Sequence, residues 1–311
     1  MAEHHDHAHA AHHHVSASSG QRALLISLVA TLVFAVVEVA GGWFSGSLAL
    51  VSDAGHMVSD AFALGLAAVA AWLARRPPSA RHSYGLARAE VIAASINGLL
   101  MLLVIAWISY EALDRLRNPQ PVAGGMVMVI AAIGLAINLF VARTLSHGAH
   151  DLNSRAALIH VLGDLLGSVA ALASGAVIYF TGWLPIDPLL SLLVAGLVLA
   201  STVRLLRDAL NVLMEAVPAG LELDRVGRAM AGVQGVTGVH DLHIWTLASG
   251  NVALSAHVVM PRLEAWPALL KRMQVMLHED FDIDHVTLQP EIVPVLAPRK
   301  GKVIPIHHKG R

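Results

Sequence analysis

The sequence contains no cysteine in 311 residues and little charge: 14% is Asp, Glu, Lys or Arg, and the formal net charge is −1. The missing cysteine excludes disulfides and thiolate metal sites, so any metal would sit on His, Asp or Glu. The near-zero net charge argues against a nucleic-acid binder, which needs a basic field. An ordinary soluble domain is about 25% charged and about 45–50% apolar. This chain is 56% hydrophobic, with a mean hydropathy of +0.62. Such a composition disfavours a wholly soluble enzyme and indicates a polytopic membrane protein with some extramembrane mass. Histidine stands in excess, at 19 residues, more than core packing asks for.

A membrane span needs about 20 apolar residues, since the hydrocarbon core is about 30 Å thick and a helix rises about 1.5 Å per residue. Six stretches qualify: Ala23–Phe44, Leu48–Ala74, Ala89–Leu113, Val122–Leu145, Arg155–Phe180 and Pro188–Leu206. Turn chemistry separates them, as in Ser45-Gly46-Ser47, Arg75-Arg76-Pro77-Pro78 and Asn118-Pro119-Gln120-Pro121. The first stretch is too long for a signal peptide, and more spans follow it. Arg75, Arg76, Arg81 and Arg88 lie between spans 2 and 3, Arg143 and Arg155 between 4 and 5, and Arg204 and Arg207 after span 6. The 1–2 and 5–6 loops have no Lys or Arg, and the 3–4 loop has Arg115 and Arg117, partly offset by Asp114, so both termini are expected in the cytoplasm.

After Glu215 the composition becomes that of a small soluble domain. Leu223–Val233 and Trp266–Glu279 read as helices, and Val239–Leu247, Val252–Val259 and Val286–Ile292 as strands, the first two joined by a Ser249-Gly250-Asn251 turn. The order α-β-β-α-β suits a ferredoxin-like α+β domain. The expected organisation is a His-rich disordered tail (1–20), an α-helical six-span membrane domain (21–208), a cytoplasmic α+β domain (209–293) and a disordered tail (294–311). Seven histidines between His4 and His14, broken by Asp6 and alanines, read as a loose metal-collecting tail; a purification tag or a merely solvated segment is the bland alternative.

The second span holds His56-Met-Val-Ser-Asp60 and the fifth His160-Val-Leu-Gly-Asp164. In each, residues i and i+4 share one helix face with Cβ atoms about 5–6 Å apart, so one ion can bridge them. A charged side chain in mid-span costs at least about 2.5–3.5 kcal/mol. A locally satisfied His–Asp pair accounts for one such instance well enough, but poorly for two of identical spacing. Packed together, two imidazoles and two carboxylates suit tetrahedral Zn²⁺, with Cd²⁺ or Co²⁺ able to follow. The buried polar residues Glu38, Asp53, Glu90, Asn97 and Asn138 would line a path or bond between helices, with interhelical bonds favoured for Asn97 and Asn138. Gly41, Gly42, Gly163 and Gly167 would mark close helix packing.

The segments LALVSDAGHMVSD (Leu48–Asp60), RHSYGLARAE (Arg81–Glu90), HVLGD (His160–Asp164) and VHDLHIW (Val239–Trp245) resemble the cation diffusion facilitator family, in its zinc-type branch. The likeness runs from Ala23 to Ile292. It implies a homodimeric metal/proton antiporter in a bacterial inner membrane, with divalent metal ions, protons and the lipid bilayer as partners. Zn²⁺ would be transported substrate and regulatory ligand, with no organic cofactor. The transport site would be His56, Asp60, His160 and Asp164, and His at position 56 resembles the zinc-preferring members. A regulatory site would use His240, His257 and Glu291, with His243 and His285 as helpers. In the loop between spans 2 and 3 only His82 is offered for a further site. A passive channel and a membrane metal sensor remain as rivals. An intramembrane metallohydrolase would need a two-histidine H-E-x-x-H helix, and none appears.

Overall fold

The computed structural model describes the backbone of residues 14–146, 152–248 and 251–292, and side chains for 29–143, 161, 163–247 and 251–292. The side chains of the histidine tract, the Ser249-Gly250 turn and the C-terminal tail therefore lie outside the described residues. In order, the elements are α1 (His14–Ser45), α2 (Leu48–Ala74), α3 (Ala89–Arg117), α4 (Gly124–Ser146), α5 (Leu152–Thr181), α6 (Ile186–Leu213), α7 (Leu223–Ala231), β1 (Gly238–Ala248), β2 (Asn251–Val259), α8 (Trp266–Phe281) and β3 (His285–Glu291). Among the described residues, five helices, α2 to α6, are long and apolar enough to cross a membrane, and Val29–Ser45 is a shorter apolar helix. Helix α3 outruns its expected end at Leu113, because hydropathy marks only the apolar stretch while the backbone ladder continues through polar turns. There Arg115 pairs with Glu111, one turn back, at 2.8 Å. Likewise, α6 continues past Leu206 to Leu213.

The chain forms two compact units, residues 1–65 with 97–203 and residues 66–96 with 204–311. In the first, Phe34, Leu50, Met57, Val127, Ala131 and Ala171 form a buried cluster drawn from α1, α2, α4 and α5. Helices α4 and α5 meet backbone to backbone. A Cβ on Gly124 would stand 2.8 Å from the Tyr179 nitrogen, and one on Gly175 would stand 2.7 Å from the Met128 nitrogen. Small residues let helices approach closely in lipid, where no hydrophobic force drives them together. Gly41 receives the Ile130 side chain and Gly42 that of Val51, as expected, but among the described residues nothing stands within 4 Å of a Cβ on Gly163. Asn138 Nδ2 donates to Ser168 Oγ at 3.1 Å across α4 and α5. Among the described residues, the bond expected of Asn97 does not form at its Oδ1.

The start of α2 is capped by a residue far away in sequence. Asp187, fully buried in the first turn of α6, accepts from the Leu48 N–H at 2.6 Å, the Ala49 N–H at 3.4 Å, Ser47 Oγ at 2.6 Å and Ser174 Oγ at 3.1 Å. Ser47 Oγ in turn accepts from the Leu50 N–H at 3.3 Å. All three leading N–H groups of α2 are thus satisfied by one carboxylate and one hydroxyl, with negative charge at the positive end of the helix dipole.

In the second unit β1 pairs antiparallel with β2, and β2 pairs parallel with β3, giving the order β1-β2-β3. The expected α-β-β-α-β order appears, with the parallel pair adjacent rather than split. Helix α8 buries Leu269, Met273 and Leu277, which recur every four residues, and α7 buries Val226 and Met230. These meet Leu254, Ala256 and Val258 on the inner face of β2. The alternation of β2 turns Ser255, His257 and Val259 to the opposite face.

Candidate metal sites

Helices α2 and α5 bring the first cluster together. His56 Nε2 lies 3.4 Å from Asp60 Oδ2 and 3.9 Å from Asp164 Oδ1. One ligand atom from each of His56, Asp60 and Asp164 falls within 4.8 Å of the others. Asp164 is buried, whereas His56 and Asp60 are each 21% exposed. His160 sits on α5 one turn before Asp164, and its side chain lies outside the described residues. Three oxygen and nitrogen atoms so placed suit a borderline cation such as Zn²⁺, which binds imidazole and carboxylate at about 2.0–2.2 Å.

The second cluster lies on the sheet face turned away from the helices. His240 and His257 are direct cross-strand partners with ring centroids 5.0 Å apart. Glu291 closes β3 opposite Val259 and bridges both rings, Oε2 at 2.8 Å from His240 Nε2 and Oε1 at 2.7 Å from His257 Nδ1. Partial burial pushes the Glu291 carboxyl up, but the hydrogen bonds and charge of His240 and His257 outweigh it and hold the group below its ordinary value. Asp241 also offers a carboxylate within 4.8 Å of both imidazoles. Sequence reasoning missed it, because Asp241 sits in a break of the β1 register at φ +47° that no local pattern announces.

His243 and His285 join neither cluster; His285 instead packs edge-on against Tyr84, centroids 6.0 Å apart. His82 is exposed and belongs to no group of three converging ligands among the described residues. Its loop is held instead by an Arg88–Glu215 ion pair at 2.9 Å. A third convergence, His278, Asp282 and Asp284, is exposed at the end of α8, with His278 Nδ1 2.7 Å from Asp284 Oδ1.

Apolar helices of membrane-spanning length, with imidazole and carboxylate groups converging between two of them, define an integral membrane protein that handles a cation. The chain belongs to the cation efflux family: its transmembrane domain matches residues 24–214 and its cytoplasmic domain residues 218–293. This is a family of transporters rather than enzymes. The zinc transporter ZitB of Escherichia coli is 41% identical over 94% of each chain. The metal cation efflux system protein CzcD of Cupriavidus metallidurans is 41% identical over 92% of this chain and 91% of its own. A Bacillus subtilis protein named as a cadmium, cobalt and zinc/H(+)-K(+) antiporter is 38% identical over 90% and 91%. Among solved structures, the metal-bound C-terminal domain of the CzcD transporter is 38% identical over 23% of this chain and all of that one, with a TM-score of 0.22.

Proposed function

We propose that the protein exports Zn²⁺, and with it Cd²⁺ or Co²⁺, from the cytoplasm in exchange for protons by alternating access. The observation that carries this reading is the convergence of His56, Asp60 and Asp164 from two membrane helices within 4.8 Å. His160, one turn from Asp164, is the proposed fourth ligand. Two carboxylates against a divalent ion leave almost no net charge in the lipid, which makes the loaded site tolerable there. Ligation needs neutral imidazole and ionised carboxylate, so metal binding expels protons and protonation expels metal. The names of the ZitB, CzcD and Bacillus relatives support zinc, cadmium and cobalt as cargo and protons as counter-ion.

The surrounding organisation follows the same reading. Residues 21–208 form the transport domain and 209–293 a cytoplasmic metal-sensing domain that pairs two copies, with His240, His257 and Glu291 as its ligands. The arginine-bearing loops support a reading with both termini on the cytoplasmic side of a bacterial inner membrane, where the histidine tract would gather metal. Moving two charges outward against a negative interior costs about 4.6 kcal/mol per 100 mV, of which one returning proton recovers about half.

Purified protein in proteoliposomes, with zinc-sensitive dye inside, tests the proposal. A pH step drives zinc uptake by the wild type, and His56→Ala, Asp60→Ala, His160→Ala and Asp164→Ala each abolish it. Full uptake by Asp60→Ala or His160→Ala overturns the four-ligand site. Zinc flux indifferent to the pH step overturns antiport in favour of a passive channel.

A further inference from the structure

Beside the proposed transport site lies an acidic pair with no part in ligation. Glu38 on α1 is 0% exposed and Asp53 on α2 is 2% exposed. Among the described residues, no N–H or hydroxyl donor reaches either Glu38 oxygen or Asp53 Oδ2. The two carboxyls lie against each other, with the Asp164 charge acting on both and Ser168 within hydrogen-bonding reach of Asp53. Room for Asp53 is made by Gly167 of α5, where a Cβ would overlap its carboxylate. Among the described residues, α4 gives the network the neutral Asn138, through Ser168. The next titratable residue along α2 is His56, one turn on. No Lys or Arg enters among the charged groups acting on the pair.

An isolated carboxylate in the membrane interior costs at least about 2.5–3.5 kcal/mol. Two of them in contact, without a cation, are tolerable when a proton lies between them, as in other paired carboxyls. A divalent ion asks for more ligands than this. Among the described residues, no third ligand atom converges on Glu38 and Asp53 as it does on His56, Asp60 and Asp164. The pair therefore fits a proton. Its position is equally specific. Asp53 precedes His56 by three residues, about 4.5 Å along the helix. Gly167 and Ser168 follow Asp164 by three and four residues on α5. Both steps lead toward the ends of α2 and α5 whose loops lack Lys and Arg, the side read above as outside.

We propose that Glu38 and Asp53 form the proton station of the antiporter. This rests on the antiport reading and adds a residue pair to it. A proton from outside is held between the two carboxyls and passes to a metal ligand as that ligand's bond to the ion breaks. The metal leaves outward with its charge, and the pair, now fully ionised, takes the next proton from the same side.

The test compares full-length wild type, Glu38→Gln, Asp53→Asn and Glu38→Asp in proteoliposomes, each first shown to elute and melt like the wild type in detergent. Zinc–zinc exchange at equal pH needs no net proton movement; zinc-driven proton flux across a series of pH values does. Glu38→Gln and Asp53→Asn retain exchange, while coupled flux falls about 100-fold, the low end for removing a positioned proton-transfer group. Glu38→Asp restores part of that flux with a displaced pH profile. Unchanged proton flux and pH profile in both amide variants overturn the station, as does equal loss of exchange and coupled flux. A wild type that itself shows no coupling overturns the antiport reading instead.

Discussion

Replacing Asp187 by alanine removes the acceptor shared by Leu48 N–H, Ala49 N–H, Ser47 Oγ and Ser174 Oγ. The two serine hydroxyls can rotate toward other acceptors, but the two backbone donors are fixed by the helix. A hydrogen bond to a charged group contributes about 1.5–3 kcal/mol, and loss of a helix cap costs about 1 kcal/mol. Counting the 2.6 Å bond in full and the 3.4 Å bond at about half strength, and the cap as these same bonds, Asp187→Ala should cost about 2–4.5 kcal/mol. Asp187→Asn keeps one acceptor oxygen but turns an NH₂ toward a fixed N–H, so about half of that loss remains. The assay is equilibrium unfolding in mixed micelles, followed by the fluorescence of the 6 tryptophans. Because α2 carries His56 and Asp60 two to three turns below this cap, zinc uptake should fall alongside stability, although Asp187 touches no proposed ligand. An Asp187→Ala protein that unfolds within about 1 kcal/mol of wild type and transports normally would refute the reasoning.

Two further outcomes concern the cytoplasmic cluster. His240→Ala combined with His257→Ala should lower the zinc bound per protomer by calorimetry while only slowing transport; unchanged stoichiometry removes both residues from the ligand set. Glu291→Gln should destabilise the protein by about 1–2 kcal/mol at neutral pH, because the amide keeps one acceptor oxygen but removes the charge from the two bonds to histidine. Since its folded-state value is depressed, this contribution is complete above the ordinary value of 4.5 and disappears as pH falls through the lowered one. A difference between wild type and Glu291→Gln that stays constant into strong acid contradicts that assignment.

The paired His-x-x-x-Asp spacing was legible because a helix puts i and i+4 on one face whatever surrounds it. Which helices meet was less legible, since lipid removes the hydrophobic signature of a helix–helix contact. The close approach of α4 and α5 falls on Gly124 and Gly175, whereas Gly163 meets nothing within 4 Å among the described residues. Asp187 read as part of a loop, because its partner Leu48 lies 139 residues away. Asp241 was hidden by the irregularity that aims it. The succession of elements in the small domain was legible from alternation and turn residues, but the parallel docking of β3 beside β2, and with it the bridging by Glu291, was not.

The His240–Glu291 contact closes a loop of 51 residues, from the first strand of the sheet to the last residue of the third. A ribosome must therefore deliver nearly the whole polypeptide before the bridge between the two imidazoles exists. A protease that clips the chain just upstream of Glu291 leaves both rings in place but strips them of their shared anion. Such a shortened molecule would keep its membrane helices while losing the carboxylate proposed to complete the second metal site.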